Sequence, residues 1–231
     1  MRLLNRQGRV LLVAAVLAVG AVCWSGCGGD DNPANNNSNN SGNSGNNNGN
    51  NNNGGEDGSS KTVQLGGLKW MKKNLNVETA DSWCYLNRPD SCAKYGRLYT
   101  WAAAKAACQS VGMRLPTRAD WDNLAESVGG RKSSDYGMWH NWLDAGKKLK
   151  STSGWYNNGN GTDDFQFSAL PGGGRYSDGG FRSAGYGGYW WTATEISDDY
   201  AYYRYVFYDR GYVYEDFGDK SDGFSARCVK D

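Results

Sequence analysis

Four cysteines, Cys84, Cys92, Cys108 and Cys228, one histidine, His140, and several neighbouring acidic residues are the groups here that could carry covalent, metal or acid–base chemistry. Zinc sites place cysteine and histidine ligands at short, characteristic spacings. These cysteines match none of them, and His140 stands between Trp139 and Asn141 without a nucleophile motif such as Gly-x-Ser-x-Gly. The expectation is therefore no catalytic residue and no metal. In an oxidising compartment disulfides are the default, and four cysteines allow three pairings. Cys84 with Cys92 would staple a short loop containing Pro89, whereas Cys108 with Cys228 would tie a helix to the last strand. Glu195 with Asp198, and Glu215 with Asp216, are carboxylate pairs of the kind glycoside cleavage uses if they converge in space. Asp163, Asp164, Asp198, Asp199, Asn158 and Asn160 carry the hard oxygens that calcium takes, but they read first as solvated turns.

The elements that must position these groups begin with export. Arg2, Arg6 and Arg9 precede an apolar run from Val10 to Val22, the pattern of a secretory signal too short to favour a spanning helix. The run closes on Ser25-Gly26-Cys27, which resembles a bacterial lipobox, with Trp24 standing where an aliphatic residue is usual. Cys27 is the expected lipidation site; Cys23 fits less well because Val22, not a small residue, precedes it. Residues 1–26 thus read as a lipoprotein signal peptide. The chain is expected in the bacterial cell envelope, at the outer membrane or cell surface, held to the membrane by acyl chains that gain about 0.8 kcal/mol per buried methylene. Residues 27–60 are Asn, Gly and Ser with almost no apolar side chains, too few to offset the entropy of ordering. They read as a disordered linker with a root-mean-square span of roughly 30 Å.

Residues 61–231 suit one domain with a sizeable core. It holds 22 Lys plus Arg against 20 Asp plus Glu, which leaves no electrostatic footprint for nucleic acid. Trp101, Ala104, Cys108 and Val111 recur at helical spacing, as do Trp121, Leu124, Ala125 and Val128. Thr100 and Thr117 are natural N-caps, and Thr117 with Asp120 approximates a capping box. Pro116 disfavours helix at Leu115, so residues 112–116 are predicted to be a tight link between two packed helices. Further on, Asn157-Asn158-Gly159-Asn160-Gly161 and Pro171-Gly172-Gly173-Gly174 read as turns. Residues 202–208 and 212–215 read as strands joined around Asp209-Arg210-Gly211. Their period turns Tyr203, Tyr205 and Phe207 to one face and Tyr202, Arg204, Val206 and Tyr208 to the other. A last strand over 223–229 would send Phe224, Ala226 and Cys228 to one side. Two helices followed by antiparallel strands make an α+β domain.

Several ordered blocks add a family resemblance. They are Trp70-Met71-Lys72-Lys73-Asn74-Leu75, Tyr95-Gly96-Arg97-Leu98-Tyr99-Thr100-Trp101, Arg114-Leu115-Pro116-Thr117 with Trp121, and Lys148-Leu149-Lys150-Ser151-Thr152-Ser153-Gly154-Trp155. Phe167-Ser168-Ala169-Leu170-Pro171-Gly172-Gly173, Tyr189-Trp190-Trp191-Thr192-Ala193-Thr194-Glu195 and Gly223-Phe224-Ser225-Ala226-Arg227-Cys228-Val229 follow. Together they resemble the Fibrobacter succinogenes major paralogous domain, a family of bacterial surface lipoproteins and secreted proteins, over nearly all of 61–231. That family is similar to the C-type lectin-like superfamily, which includes formylglycine-generating enzymes and the variable proteins of diversity-generating retroelements. The resemblance implies a C-type lectin-like domain with two helices and short antiparallel strands. It also supports the bridge from Cys108 to Cys228, because a helix-to-last-strand disulfide is common in such domains.

In lectin-like folds ligands commonly meet the loops and strands of the C-terminal half. The resemblance therefore implies a binding set drawn from Tyr186, Tyr189, Trp190, Trp191, Glu195, Tyr202, Arg204, Tyr208, Arg210, Tyr212 and Tyr214. Aromatic faces stack on sugar rings or anchor protein contacts, while Arg and Glu set orientation. About half of the set is expected to fill the core. Trp190 and Trp191 are adjacent in a strand, so at most one is expected to be buried. Calcium-dependent sugar binding lacks its motif: lectins of that kind resemble Glu-Pro-Asn or Gln-Pro-Asp followed by Trp-Asn-Asp, and no proline follows Pro171. The copper chemistry of formylglycine-generating enzymes needs reactive thiols, and the four domain cysteines are expected to be bridged. The expectation is a lipid-anchored, non-catalytic module, without a cofactor, for a glycan or a cell-surface macromolecule. The alternative is a structural or assembly role with another envelope protein.

Overall fold

The computed structural model describes residues 61–133 and 140–231. The expected signal peptide, the lipidation site Cys27 and the linker lie outside the described residues. The described chain opens with an antiparallel hairpin, β1 (Thr62–Leu65) and β2 (Leu68–Met71). Then come β3 (Ser82–Trp83), α1 (Pro89–Tyr95), β4 (Leu98–Tyr99) and two longer helices, α2 (Trp101–Ser110) and α3 (Arg118–Ser127). A small pair, β5 (Arg131–Lys132) with β6 (Trp142–Leu143), precedes α4 (Ala145–Leu149). The remainder is mostly strand: β7 (Gly172–Arg175), β8 (Phe181–Ala184), β9 (Gly187–Glu195), β10 (Tyr200–Phe207), β11 (Tyr214–Asp219), β12 (Phe224–Ser225) and β13 (Val229–Lys230). Among the described residues, eight strands form one sheet in the order β11-β10-β9-β12-β4-β3, with β7 beside β9 and β8 beside β7, and β1-β2-β13 form another. The architecture is α+β.

Local sequence explains where the helices begin. Thr100 Oγ1 accepts from the Ala103 amide at 3.3 Å and starts α2. At α3 the box is reciprocal: Thr117 Oγ1 accepts from the Asp120 amide at 3.1 Å, and the Asp120 carboxylate accepts from the Thr117 amide at 2.7 Å. Trp121, Leu124, Ala125 and Val128 are all buried, as their spacing predicts. In α2 the predicted face holds for Trp101, Ala104 and Cys108, whereas Val111 is 41 % exposed because the helix ends at Ser110. The link between the helices is tied down, with Arg114 and Val229 exchanging backbone hydrogen bonds of 2.9 and 2.8 Å. Two short helices, α1 and α4, join the predicted pair; Pro89 suits the first turn of α1, where its missing N–H costs nothing.

The glycines after Pro171 form strand β7 rather than the turn their run suggests. They are required for space: a Cβ on Gly174 would stand 2.8 Å from the Phe224 ring, and one on Gly173 would stand 2.5 Å from the Arg182 carbonyl oxygen. The predicted closing strand also divides, with β12 joining the large sheet and β13 the small one. Residues 222–229 are buried throughout, because the chain passes through the core between sheets and has no solvent face.

Both faces of β9 are covered. Trp190 packs with Trp70, Trp121 and Phe167, and Trp191 packs on the opposite side with Tyr99, Phe224 and Cys108. Trp190 and Trp191 are 1 % and 0 % exposed, which corrects the expectation that one of them faces solvent. Each buried ring contributes on the order of 3 kcal/mol of hydrophobic stabilisation.

Arg227 lies between these layers, completely buried. The five N–H groups that a guanidinium carries all find oxygen. Asn74 Oδ1 accepts from Nε at 3.1 Å and from Nη2 at 2.8 Å, and the Ser168 carbonyl accepts from Nη2 at 3.3 Å. The Met71 carbonyl accepts from Nη1 at 3.0 Å, and the Phe167 carbonyl accepts from Nη1 as well. Asn74 Oδ1 also accepts from Trp190 Nε1 at 2.9 Å, and Asn74 Nδ2 donates to the Tyr95 carbonyl at 2.8 Å. Burial pushes the Arg227 guanidinium down to about 9.

Two disulfides complete the scaffold. Cys84 is bonded to Cys92, 8 residues on, and Cys108 to Cys228, 120 residues on. The second is the pairing that the resemblance implies. Chain entropy assigns about 5 kcal/mol to the long loop and about 2.5 kcal/mol to the short one. Urea unfolding of Cys108→Ser/Cys228→Ser and of Cys84→Ser/Cys92→Ser should show the larger loss for the first pair; an equal loss would mean that loop length does not set the effect.

Candidate functional site

The C-terminal hairpin is fixed from below by a buried ionic cluster. Along β10, period two turns Tyr202, Arg204, Val206 and Tyr208 towards α3. Arg204, expected among the ligand-facing residues, is 0 % exposed. Its Nη2 lies 2.7 Å from Asp122 Oδ1 and 2.8 Å from Glu215 Oε2, and its Nη1 donates to the His140 carbonyl at 2.5 Å. Arg118 holds the same Glu215 through Nε at 2.7 Å and Nη2 at 2.5 Å. His140 is likewise engaged, with Nδ1 2.7 Å from Asp122 Oδ2, and Trp142 Nε1 donates to Asp122 Oδ1 at 2.8 Å. Two guanidiniums balance two carboxylates, so the cluster clamps α3, β6, β10 and β11 together. It also separates Glu215 from Asp216. Asp216 follows Glu215 in β11 and points to the other face, where Tyr203 bonds it, while Glu195 Oε2 accepts from Lys220 Nζ at 2.6 Å.

Above the clamp an aromatic platform reaches solvent. Tyr156 and Tyr186 are 50 % and 41 % exposed. Their rings stack at 4.4 Å and 26°, and Tyr208 meets both edge-on at 5.4 and 5.7 Å. Backbone bonds set the spacing: the Tyr156 amide donates to the Gly185 carbonyl and the Tyr208 amide to the Tyr186 carbonyl, each at 2.8 Å. Lys150, 3 % exposed, draws the supporting loops together. Its ammonium donates to the carbonyls of Gly159, Phe207, Tyr208 and Arg210 at 2.6, 3.3, 3.0 and 3.1 Å. Burial pushes it down to about 8, so at neutral pH it still carries its charge. Gly159 must be glycine here, because a Cβ would stand 2.2 Å from the Tyr208 carbonyl oxygen. Beside Tyr208 a depression of about 140 Å³ is lined by Lys147, Asn160, Asp209 and Arg210 among others. Ring faces next to amide, carboxylate and guanidinium groups can stack on a sugar's C–H face while bonding its hydroxyls.

The structure thus brings together Tyr186, Tyr208 and Arg210 from the sequence-derived set and adds Tyr156, Asn160 and Asp209. A cue for Tyr156 existed: a large ring directly before an Asn-Gly turn has little room in a core. Tyr212 and Tyr214 belong to the opposite face, where Tyr214 stacks on Tyr205 at 4.9 Å and Tyr189, 5 % exposed, packs behind Tyr205 at 5.9 Å. Tyr202 lies at the far part of β10 under the Arg118 guanidinium, 4.6 Å away. Glu195 ends β9, roughly 30 Å along the strand from Tyr186. Trp190, Trp191 and Arg204 are interior. The oxygens considered for calcium are partly engaged: Asp163 accepts from the Ser168 amide and hydroxyl at 2.7 and 2.6 Å, and Asn160 Oδ1 from the Trp155 amide at 3.2 Å. Among the described residues no three His, Cys, Asp or Glu side chains converge as a metal site requires.

The sequence matches the Fibrobacter succinogenes major domain over residues 63–230. The chain belongs to that family. Neither the curated proteins nor the solved structures contain a match. Within this major domain the blocks that carry the family resemblance supply Trp70, Asn74, Phe167, Ser168, Trp190 and Arg227 to one buried knot. The platform residues Tyr156, Tyr186, Tyr208, Asp209 and Arg210 fall between the blocks.

The clamp in the major domain has a pH signature. Burial acts to raise the Asp122 pKa, but the Arg204 charge, Trp142 Nε1 and His140 hold it below the ordinary carboxylate value. The unfolded chain therefore takes up this proton first as pH falls. The contribution is complete above the unfolded value of about 4 and is lost as pH drops through the folded one. Asp122→Asn should cost roughly 2 kcal/mol or more at pH 7, since it leaves Arg204 with one carboxylate. Urea unfolding followed from pH 7 down to about 2.5 should show the gap from the parent chain narrowing; a constant gap would remove Asp122 from the acid response.

Proposed function

We propose that the chain is a lipid-anchored bacterial envelope protein, attached through Cys27. Its major domain would have a C-type lectin-like fold and serve as a non-catalytic module for a glycan or another cell-surface macromolecule. The observation that carries this reading is the exposed Tyr156–Tyr186 stack with Tyr208 at its edge and polar groups beside it. Rigid rings offer large contact area at little ordering cost, and their flanking Asp, Asn and Arg suit the dense hydroxyls of a saccharide. The lectin-like fold is supported by the α2–α3 pair, the antiparallel C-terminal strands and the bridge from α2 to the segment before β13. The non-catalytic reading draws on the engaged chemistry: the four cysteines of the described domain are all bridged, and the His140 ring is bonded to Asp122. Nothing in this reading calls for a cofactor.

A structural role in envelope assembly is the second reading, favoured by a separate apolar group at the other end of the hairpin. Ile196, Tyr200 and Phe217 are 47 %, 42 % and 39 % exposed, with Tyr200 and Phe217 in edge contact at 5.7 Å. Glycan-array and envelope pull-down measurements on the same protein discriminate the two. If the platform binds, Tyr156→Ala/Tyr186→Ala should weaken glycan capture by roughly tenfold or more at an unchanged unfolding midpoint. Full capture by that variant would reject the platform, and loss of pull-down in Tyr200→Ser/Phe217→Ser with glycan binding absent would select assembly.

A further inference from the structure

A further cavity lies away from the tyrosine platform. It has a volume of about 750 Å³ and lies between the segment after β2, the end of α1 and the loops around Ser153 and Gln166. Lys72, Lys73 and Lys94 line it, against one carboxylate, Asp163. Among the described residues none of these lysines has a carboxylate partner: Lys72 Nζ donates to Gln166 Oε1 at 2.9 Å, and Lys94 Nζ sits 4.9 Å over the Tyr95 ring. Asp163 is turned to Ser168, whose amide and hydroxyl it accepts.

The wall of this cavity adds a fourth positive charge. Asn74 and Ser168 line it, and both accept hydrogen bonds from the buried Arg227. All of that guanidinium's hydrogen-bond acceptors are neutral, and the one carboxylate whose charge acts on it is Asp163 of the same lining. A charge in a low-dielectric wall is weakly screened, and with three lysines at the rim it focuses positive potential into the space. The rest of the lining is mixed: Thr152, Ser153 and Asn76 are exposed there, beside the apolar Ala93, Tyr95 and Leu170. Positive potential with many neutral hydrogen-bonding groups suits a ligand that is both anionic and polyhydroxylated.

We propose that this cavity is a second binding site, for an anionic sugar bearing a carboxylate or a phosphate group. The site does not depend on the tyrosine platform. Lys73 and Lys94 meet the acidic group, and the Thr152, Ser153 and Asn76 side chains bond the ring hydroxyls. Calorimetric titration of the full chain at low salt tests it with trigalacturonic acid, glucose 6-phosphate, inorganic phosphate and neutral cellotriose as probes. At least one anionic sugar should bind, and the one that does identifies a uronate or a sugar phosphate as the source. Its Kd should rise roughly tenfold or more in Lys73→Glu/Lys94→Glu and with added salt, and should stay unchanged in Tyr156→Ala/Tyr186→Ala. Lys73→Gln/Lys94→Gln, with an unfolding curve matching the parent, guards against a folding defect and should show a smaller loss in the same direction. Equal affinity for cellotriose, equal affinity for inorganic phosphate, no anionic sugar bound, or insensitivity to both lysine variants would overturn the proposal.

Discussion

The fold depends on keeping a charged side chain in a place without water. Removing a guanidinium from solvent costs several kcal/mol even after relaxation, and a missing hydrogen bond adds to that cost. Arg227 is held there by neutral acceptors drawn from Met71, Asn74, Phe167 and Ser168. Those residues come from the end of β2, the stretch after it and the loop before β7, so they must meet for the charge to be tolerated. Asn74 extends the requirement, because the same amide ties in Trp190 of β9 and the end of α1. Arg204 solves the equivalent problem differently, with two carboxylates and two backbone carbonyls. One buried arginine is thus a stitch among neutral backbone groups, and the other is the centre of a balanced ionic cluster.

These two arginines leave the large sheet little free surface at its centre. With Trp190 in one apolar cluster and Trp191 in the other, β9 works as the middle layer of a sandwich. The exposed rings Tyr156 and Tyr186 are left to the ends of strands and the loops that join them. The aromatic ladder on the second face, from Tyr189 through Tyr205 to Tyr214, is largely packing between strands. The rings of Tyr156 and Tyr186 differ because they sit on turns, where no neighbouring strand can cover them.

What the sequence disclosed follows the range of the forces involved. The capping box of Thr117 and Asp120 is a contact between residues three apart, so residue types alone predict it. The hairpin of β10 and β11 was also legible, because alternation in Tyr202–Tyr208 is local. Trp190 and Trp191 were misjudged because covering both faces of β9 takes segments more than a hundred residues apart. Arg204 was misjudged for a related reason: arginine is usually exposed, and although Glu215 stands opposite it in the hairpin register, its other partner, Asp122, comes from α3. The glycines of β7 failed in another way. Glycine serves turns and also close backbone contact, and the Phe224 ring that decides between them lies far along the chain. At the candidate site, Tyr186, Tyr208 and Arg210 were in the sequence-derived set, while Tyr156 joins them through a tertiary contact that no spacing encodes.

Lys150 connects the scaffold to the platform. Its four carbonyl acceptors come from the loop after Tyr156 and from the hairpin turn that carries Tyr208 and Arg210. A single buried ammonium therefore bonds both segments at once, adding to the backbone bonds that tie Tyr156 to Gly185 and Tyr208 to Tyr186. Ordering a flexible side chain on binding costs about 0.5–1.5 kcal/mol, and rings already stacked and bonded through their backbones avoid much of it. Lys150 lies in one of the family blocks and the tyrosines do not. Its bonds go to backbone carbonyls alone, so it holds these loops in place whatever side chains they carry.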